Sequence, residues 1–232
     1  MNIFHCDNCR SLVFFENVQC VKCGQTLGFL PDILDLTALK PDTANPDCWH
    51  ALAPAAENRA FRQCKNWQEH GVCNWLVPAE DESPFCIACR MNKTIPDLTV
   101  AGNSKRWYKI EKAKRRLVYT LLRLQLPMQG SFQEPGPSLQ FDFLAQAYGG
   151  STVFSGHKHG LITLNIAEAD DEEREKHRVN LREPYRTLLG HFRHEAAHYY
   201  WDRLIAGTAL HLGVPVVSRD RKIRASSVTT IW

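Results

Sequence analysis

Apolar positions recur with different spacings along the chain, and each spacing predicts a different element. In the first thirty residues, short apolar runs such as SLVFFENVQ predict small strands set between cysteines. Residues 31–60 carry four prolines and no sustained period, so an irregular connection is expected there. From Lys105 to Leu126, KRWYKIEKAKRRLVYTLLRLQL places Ile110, Leu117, Leu121 and Leu124 on one stripe with basic residues opposite. That is the pattern of an amphipathic helix, closed by Pro127. A Gly/Pro-rich turn, MQGSFQEPGPS, leads to LQFDFLA and HGLITLNIAEA, which alternate or run apolar as strands do. DDEEREKHRVNLREPYRTLLGHFRHEAAHYYWDRLI then reads as one or two helices, with Pro184 suited to a helix start. The tail, VPVVSRDRKIRASSVTTIW, predicts two short strands around a polar turn. Together these elements predict an α+β chain.

Composition narrows the class without naming a function. With 232 residues, 44% hydrophobic and 23% charged, the chain is globular and has room for one medium domain or two small ones. A net charge of +3 is too mild to argue for nucleic acid. No apolar run reaches the roughly 18–20 residues of a membrane span. The opening MNIFHCDNCR has a cysteine pair where a signal peptide needs an apolar core, so a cytoplasmic location is expected. In that reducing compartment nine cysteines, six of them in C-x-x-C pairs, point to metal rather than disulfides.

The cysteines fall into two quartets. Cys6, Cys9, Cys20 and Cys23 have zinc-ribbon spacing, two C-x-x-C turns whose sulfurs can close a tetrahedral shell. Gly24, directly after the second turn, suits a backbone that needs positive φ. Cys64, Cys73, Cys86 and Cys89 are less regular, with His70 able in principle to replace Cys64 or Cys73. Four buried apolar cysteines would be the plain alternative, which paired C-x-x-C spacing argues against. Cys48 is left over. Neither quartet is expected to be catalytic, because four thiolates leave no open position.

His194, Glu195 and His198 spell H-E-x-x-H. On a helix the two histidines lie one turn apart on one face and can converge on a zinc, with Glu195 beside them as general base. The alternative is two surface histidines and a solvated glutamate. The strand GLITLNIAEA, Gly160–Ala169, precedes the motif where an edge strand would pair with an extended peptide. Tyr199, Tyr200 and Trp201 are expected to pack the helix inward. His157 and His159 are expected to be plain turn residues.

EKAKRRLVYTLLRLQLP, GHKHGLITLNIAEADDEERE, EPYRTLLGHFRHEAAHYYWDRLI, CNWLVP and CIACRMNKTIPDL, with the two cysteine modules, resemble bacterial zinc-binding metallopeptidases that carry an N-terminal zinc ribbon. The likeness covers roughly residues 1–205. It implies zinc ligation by His194 and His198 and general-base catalysis by Glu195, with a peptide or protein as substrate. Ala197 stands where glycine is common.

The third zinc ligand of such an enzyme is not evident. After His198 the chain offers Asp202, His211 and Asp220. Asp202 is a further turn along the helix and suits a partner of a ligand better than a ligand. Trp201 and Leu204 exclude the elongated H-E-x-x-H-x-x-G-x-x-H form. The stretch DRLIAGTALHLGVPVVSRDRKIRASSVTTIW resembles the end of PIN-domain ribonuclease toxins, which would put Asp202 and Asp220 on magnesium-binding positions. The expected organisation is a zinc ribbon at 1–30, a second cysteine-zinc module at 31–100, a truncated zincin-like domain at 101–205 and a PIN-like tail at 206–232. Three zinc ions are expected, two structural and one catalytic. Two functions stay open: a zinc metallopeptidase, working or silenced for want of its third ligand, and a non-catalytic zinc-ribbon module binding protein or nucleic acid.

Overall fold

The computed structural model describes residues 3–129, 137–145, 153–180, 187–217, 224 and 229–231. Pro184, Asp220 and most of the polar turn of the tail lie outside the described residues. The side chains of Asp202 and Arg203 are likewise not described.

The N-terminal half is built on strands. β1 (Phe4–His5) and β2 (Leu12–Val13) pair antiparallel across the first cysteine turn. β3 (Leu27–Leu30), β4 (Asp35–Pro41), β5 (Cys48–Ala51), β6 (Ala60–Gln63) and β7 (Leu76–Pro78) follow as an antiparallel meander. The sheet curls until its ends meet, since Phe29 N donates to Asn74 O at 2.8 Å. The irregular connection expected at 31–60 therefore holds two strands of this sheet, β4 and β5, and the first residue of β6. Its strands run four to seven residues, with Pro41 closing β4 and Pro54 opening a 3-10 turn. Prolines sit at the ends, where they cost no ladder bond, and they disguise the alternation between them.

Two short helices, α1 (Lys65–Gln68) and α2 (Ile87–Arg90), carry the second cysteine set. The C-terminal half begins with β8 (Asn92–Thr94) and α3 (Asn103–Arg123), followed by β9 (Gln140–Leu144), β10 (Gly156–Lys158) and β11 (Leu161–Asn165). The sheet order is β10-β11-β9-β8, with β8, β9 and β11 parallel and β10 antiparallel. His159 and Gly160 both have positive φ and make the two-residue turn that folds β10 back onto β11. The edge strand is thus β10, and the expected edge, Gly160–Ala169, lies one strand further in. Ile166–Ala169 leaves the sheet as a 3-10 turn. α4 (Asp171–Asn180) and α5 (Leu188–Tyr200) are separate helices, so the two-helix reading holds. Trp201–Ile205 continues as a π-helical segment into α6 (Ala206–Leu212). β12 (Val216–Val217) and β13 (Thr230–Ile231) pair parallel, so the tail's strands do not form a simple hairpin.

The element that joins the halves is α3. Ile110, Leu117 and Leu121 are buried as expected and Trp107 is buried with them, whereas Leu124 falls just past the helix and is 62% exposed. Much of the charged side of the helix is also buried. Lys114 and Glu111 have fully buried side chains and pair at 2.9 Å. Glu111 Oε1 accepts from Asn92 Nδ2 at 2.7 Å and Trp107 Nε1 at 3.1 Å, and the Lys114 ammonium lies 5.8 and 5.7 Å from the Phe141 and Phe143 ring centres. Arg115 donates to Val72 O and Arg116 to Glu16, while Arg106 pairs with Asp170 at 2.8 Å. The basic stretch is largely used to bind other elements of the same chain.

Phe15, Phe29, Trp75 and Tyr119 form one aromatic cluster with centroids 4.7–6.3 Å apart. This contact places the first cysteine turns, the five-stranded sheet and α3 around a common core. Lys114→Met would strand Glu111 as a buried unpaired charge and is expected to cost about 3–5 kcal/mol. Urea unfolding of the zinc-loaded chain should show that loss, with most of it recovered in Glu111→Leu/Lys114→Met.

Candidate metal and hydrolase centres

The first quartet is made by two matching turns. Arg10 N donates to Cys6 O and Gly24 N to Cys20 O, both at 2.8 Å, and both residues have positive φ. Glycine supplies that backbone freely at position 24; Arg10 adopts it without that freedom. Cys6 Sγ lies 3.7 Å from Cys23 Sγ, and Cys9 Sγ 3.6 Å from Cys20 Sγ. Four thiolates bound to one tetrahedral zinc stand about 3.8 Å apart, so the set fits zinc.

The second quartet closes despite its irregular spacing. Cys64 precedes α1, Cys86 precedes α2 and Cys89 lies within α2, while Cys73 is brought back by the turn at Gly71. Cys73 Sγ and Cys86 Sγ are 3.7 Å apart, and all four sulfurs lie within 4.8 Å of one another. Backbone N–H groups of Trp75 and Cys86 donate to the Cys73 and Cys64 sulfurs at 3.4 Å. Burial, with the neighbouring cysteines adding to it, pushes the Cys86 thiol well above its usual value. His70 is not needed here: its ring packs against Trp107 and lies 3.7 Å from Glu69. Cys48 is buried in β5, apart from both sets.

The H-E-x-x-H residues sit midway along α5. Thr187 caps this helix, its Oγ1 accepting from Gly190 N at 3.0 Å. Phe192, Ala196 and Tyr199 recur on the helix's inner face, where Phe192 packs edge-on against Phe141 at 5.6 Å. His194 and His198 consequently face outward, one turn apart. Their Nε2 atoms are 3.2 Å apart, close to the roughly 3.3 Å between two nitrogens on one tetrahedral zinc. Glu195 falls between the two faces, with 6% of its side chain exposed. Burial pushes its carboxyl pKa up, but the hydrogen bond and charge of His191, with smaller contributions from His194 and His198, outweigh that and hold it below the usual value. Tyr199, Tyr200 and Trp201 are buried, as their sequence suggested.

Two neighbours of Glu195 escaped the sequence reading. His191 Nε2 lies 3.3 Å from Glu195 Oε1, and His191 Nδ1 lies 2.7 Å from Glu168 Oε2. The i,i+4 spacing of His191 and Glu195 was visible in the sequence; Glu168, 23 residues before His191, was not. Nor is His157 plain surface: its Nε2 accepts from Gly160 N at 2.9 Å, and its ring meets Tyr199. A third donor does not join His194 and His198 among the described residues. His211 is exposed in the last turn of α6, and Asp220 lies outside the described residues.

Residues 103–214 match the family described as "Putative zinc-binding metallo-peptidase", and residues 3–100 match a zinc-ribbon domain. The chain is similar to a zinc ribbon joined to a zinc-binding metallopeptidase. The peptidase match runs on past Ile205, where the sequence likeness was expected to stop. Uncharacterized proteins of Mycobacterium bovis and of two strains of Mycobacterium tuberculosis are 39% identical over 212 residues, or 91% of this chain. The chain spans 57% of the length of these relatives. No solved structure matches. No helix among the described residues is long and apolar enough to cross a membrane.

The two cysteine sets differ in access, since Cys23 is exposed and Cys9 half-buried while all four of the second set are buried. Zinc release to a colorimetric chelator should therefore be biphasic. Cys23→Ser is expected to abolish the fast phase, and Cys86→Ser to remove one equivalent and much of the cooperative thermal transition.

Proposed function

We propose that the chain carries a zinc hydrolase centre of peptidase type, with His194 and His198 as metal ligands and Glu195 as general base. The observation that carries this reading is the 3.2 Å approach of the two Nε2 atoms beside a buried carboxylate. Zinc held by His194 and His198 would supply Lewis-acid chemistry there. Glu195 would act as proton acceptor beside that pair, and the partners that hold its carboxylate ionised keep it ready to do so. The antiparallel edge strand β10, which ends its sheet next to α5, offers backbone groups on which an extended peptide can lie.

The structural role of zinc belongs to Cys6, Cys9, Cys20 and Cys23, and to Cys64, Cys73, Cys86 and Cys89. Each quartet uses four thiolates, which fits scaffolding rather than turnover. The alternative, a zinc-ribbon interaction module without catalysis, draws on the absence of a third donor among the described residues. Nucleic acid is the weaker partner for that module, because Arg106, Lys114, Arg115 and Arg116 are spent on contacts within the chain.

Metal counting and turnover separate the readings. The intact chain is expected to bind three zinc equivalents by elemental mass spectrometry, and His194→Ala two. Glu195→Gln should keep all three while lowering cleavage of labelled casein by about 100-fold or more. Two equivalents in the intact chain, or three with no turnover of any peptide, would leave the interaction module.

A further inference from the structure

Behind Glu195 runs a line of buried and half-buried polar side chains that zinc ligation does not use. It begins at Ser155, just before β10, whose hydroxyl donates to Glu168 Oε1 at 2.5 Å and accepts from Asn165 N at 2.9 Å. Glu168, in the 3-10 turn after β11, meets His191 Nδ1 through its other oxygen at 2.7 Å. His191, in the first turn of α5, meets Glu195 Oε1 at 3.3 Å. The two carboxylates are 5% and 6% exposed and the imidazole 10%.

We propose that His191, clamped by Glu168 and Ser155, is a positioning residue that fixes the carboxylate of Glu195 beside the His194–His198 pair. This rests on the reading of that pair and Glu195 as a zinc hydrolase centre. A carboxylate oxygen accepts only, and a neutral imidazole has a single N–H. With a carboxylate oxygen at each ring nitrogen, His191 holds both by donating from both nitrogens. Neither nitrogen then has a lone pair for metal, which separates His191 from His194 and His198. Ser155 takes one oxygen of Glu168 and leaves the other for His191, so the acid cannot turn away without losing a bond at each end.

The result appears at the far end of the line. Glu195 Oε1 is held by His191, while Oε2 is buried and has no hydrogen-bond partner among the described residues. The oxygen that His191 holds is also the one turned toward the pair, with Oε1 lying 4.0 Å from His194 Nε2. Stability alone does not account for the arrangement, because buried charge sets of this kind are often matched or bettered by apolar packing. Three elements, the turn after β11, the approach to β10 and the start of α5, supply its residues.

The test uses the full zinc-loaded chain with His191→Phe, His191→Gln and the near-isosteric Glu168→Gln. All three should keep the zinc count of the parent. On labelled casein, kcat is expected to fall about 10–100-fold in His191→Phe and Glu168→Gln with KM within about twofold. His191→Gln, which retains one donor, should recover part of the loss, and the His191→Phe/Glu168→Gln pair should be no worse than His191→Phe alone. In nitrogen-15 spectra of the imidazoles, the parent should show two ring N–H signals for His191, reduced to one in Glu168→Gln. Loss of a zinc equivalent in His191→Phe would make it a ligand and overturn the proposal. So would unchanged kcat in an active parent, or ring signals indifferent to Glu168→Gln. If the parent cleaves nothing, the hydrolase reading fails by itself, and the ring signals still decide whether His191 is clamped as argued.

Discussion

The burial of α3 on nearly all its sides is the constraint on which the rest of the molecule depends. One flank carries Tyr119 into the aromatic cluster with Phe15, Phe29 and Trp75, and another lays Lys114 against the phenyl rings of β9. A helix in that position must satisfy its own charges. Glu111, Lys114 and Asn92 do so as a closed set, and Arg115 reaches the carbonyl of Val72 beside the second cysteine quartet. A helix that read as one side of a surface is instead the axle of the fold. Its charges join the modules that the spacing of cysteines and apolar runs seemed to separate.

That arrangement gives the cysteine sites a consequence beyond their own neighbourhood. Zinc held by four thiolates fixes loops too small to hold themselves. Here those loops carry Phe15 and Trp75, which are also part of the packing around α3. β9 and α5 pack together through Phe141, Phe143 and Phe192, and α5 carries the two imidazoles. The cysteine sites of the N-terminal half and the geometry of the C-terminal half are thus joined by a continuous chain of buried side chains. The ribbon is better described as a wall of the same body than as an appended module.

Within the candidate centre, the helix decides more than the spacing of H-E-x-x-H alone would. Phe192, Ala196 and Tyr199 pin one face of α5 to the core, which leaves His194 and His198 outward and Glu195 at the boundary between dry and wet surroundings. A glutamate at such a boundary is exposed to two opposed pulls, burial raising its pKa and neighbouring imidazoles lowering it. The second prevails. That balance depends on His191, and through it on Glu168 and Ser155, residues contributed by other elements.

The sequence by itself determined the local devices: the two cysteine turns, with positive φ at Gly24 after the second, the helical turn that brings His194 and His198 together, and the inward Tyr199–Trp201 run. Each depends on neighbours within a few residues, so spacing and residue type suffice. Only the tertiary structure decided that residues 31–60 are strands, because strand pairing is set by distant partners and the prolines hide a short alternation. It also decided that β10 is the edge, since one two-residue turn at His159–Gly160 adds a strand outside the expected one. The same holds for the contacts that Arg115 and Arg116 of α3 make and for the Glu168–His191 contact, where the partner lies 23 to 100 residues away and no periodicity encodes it.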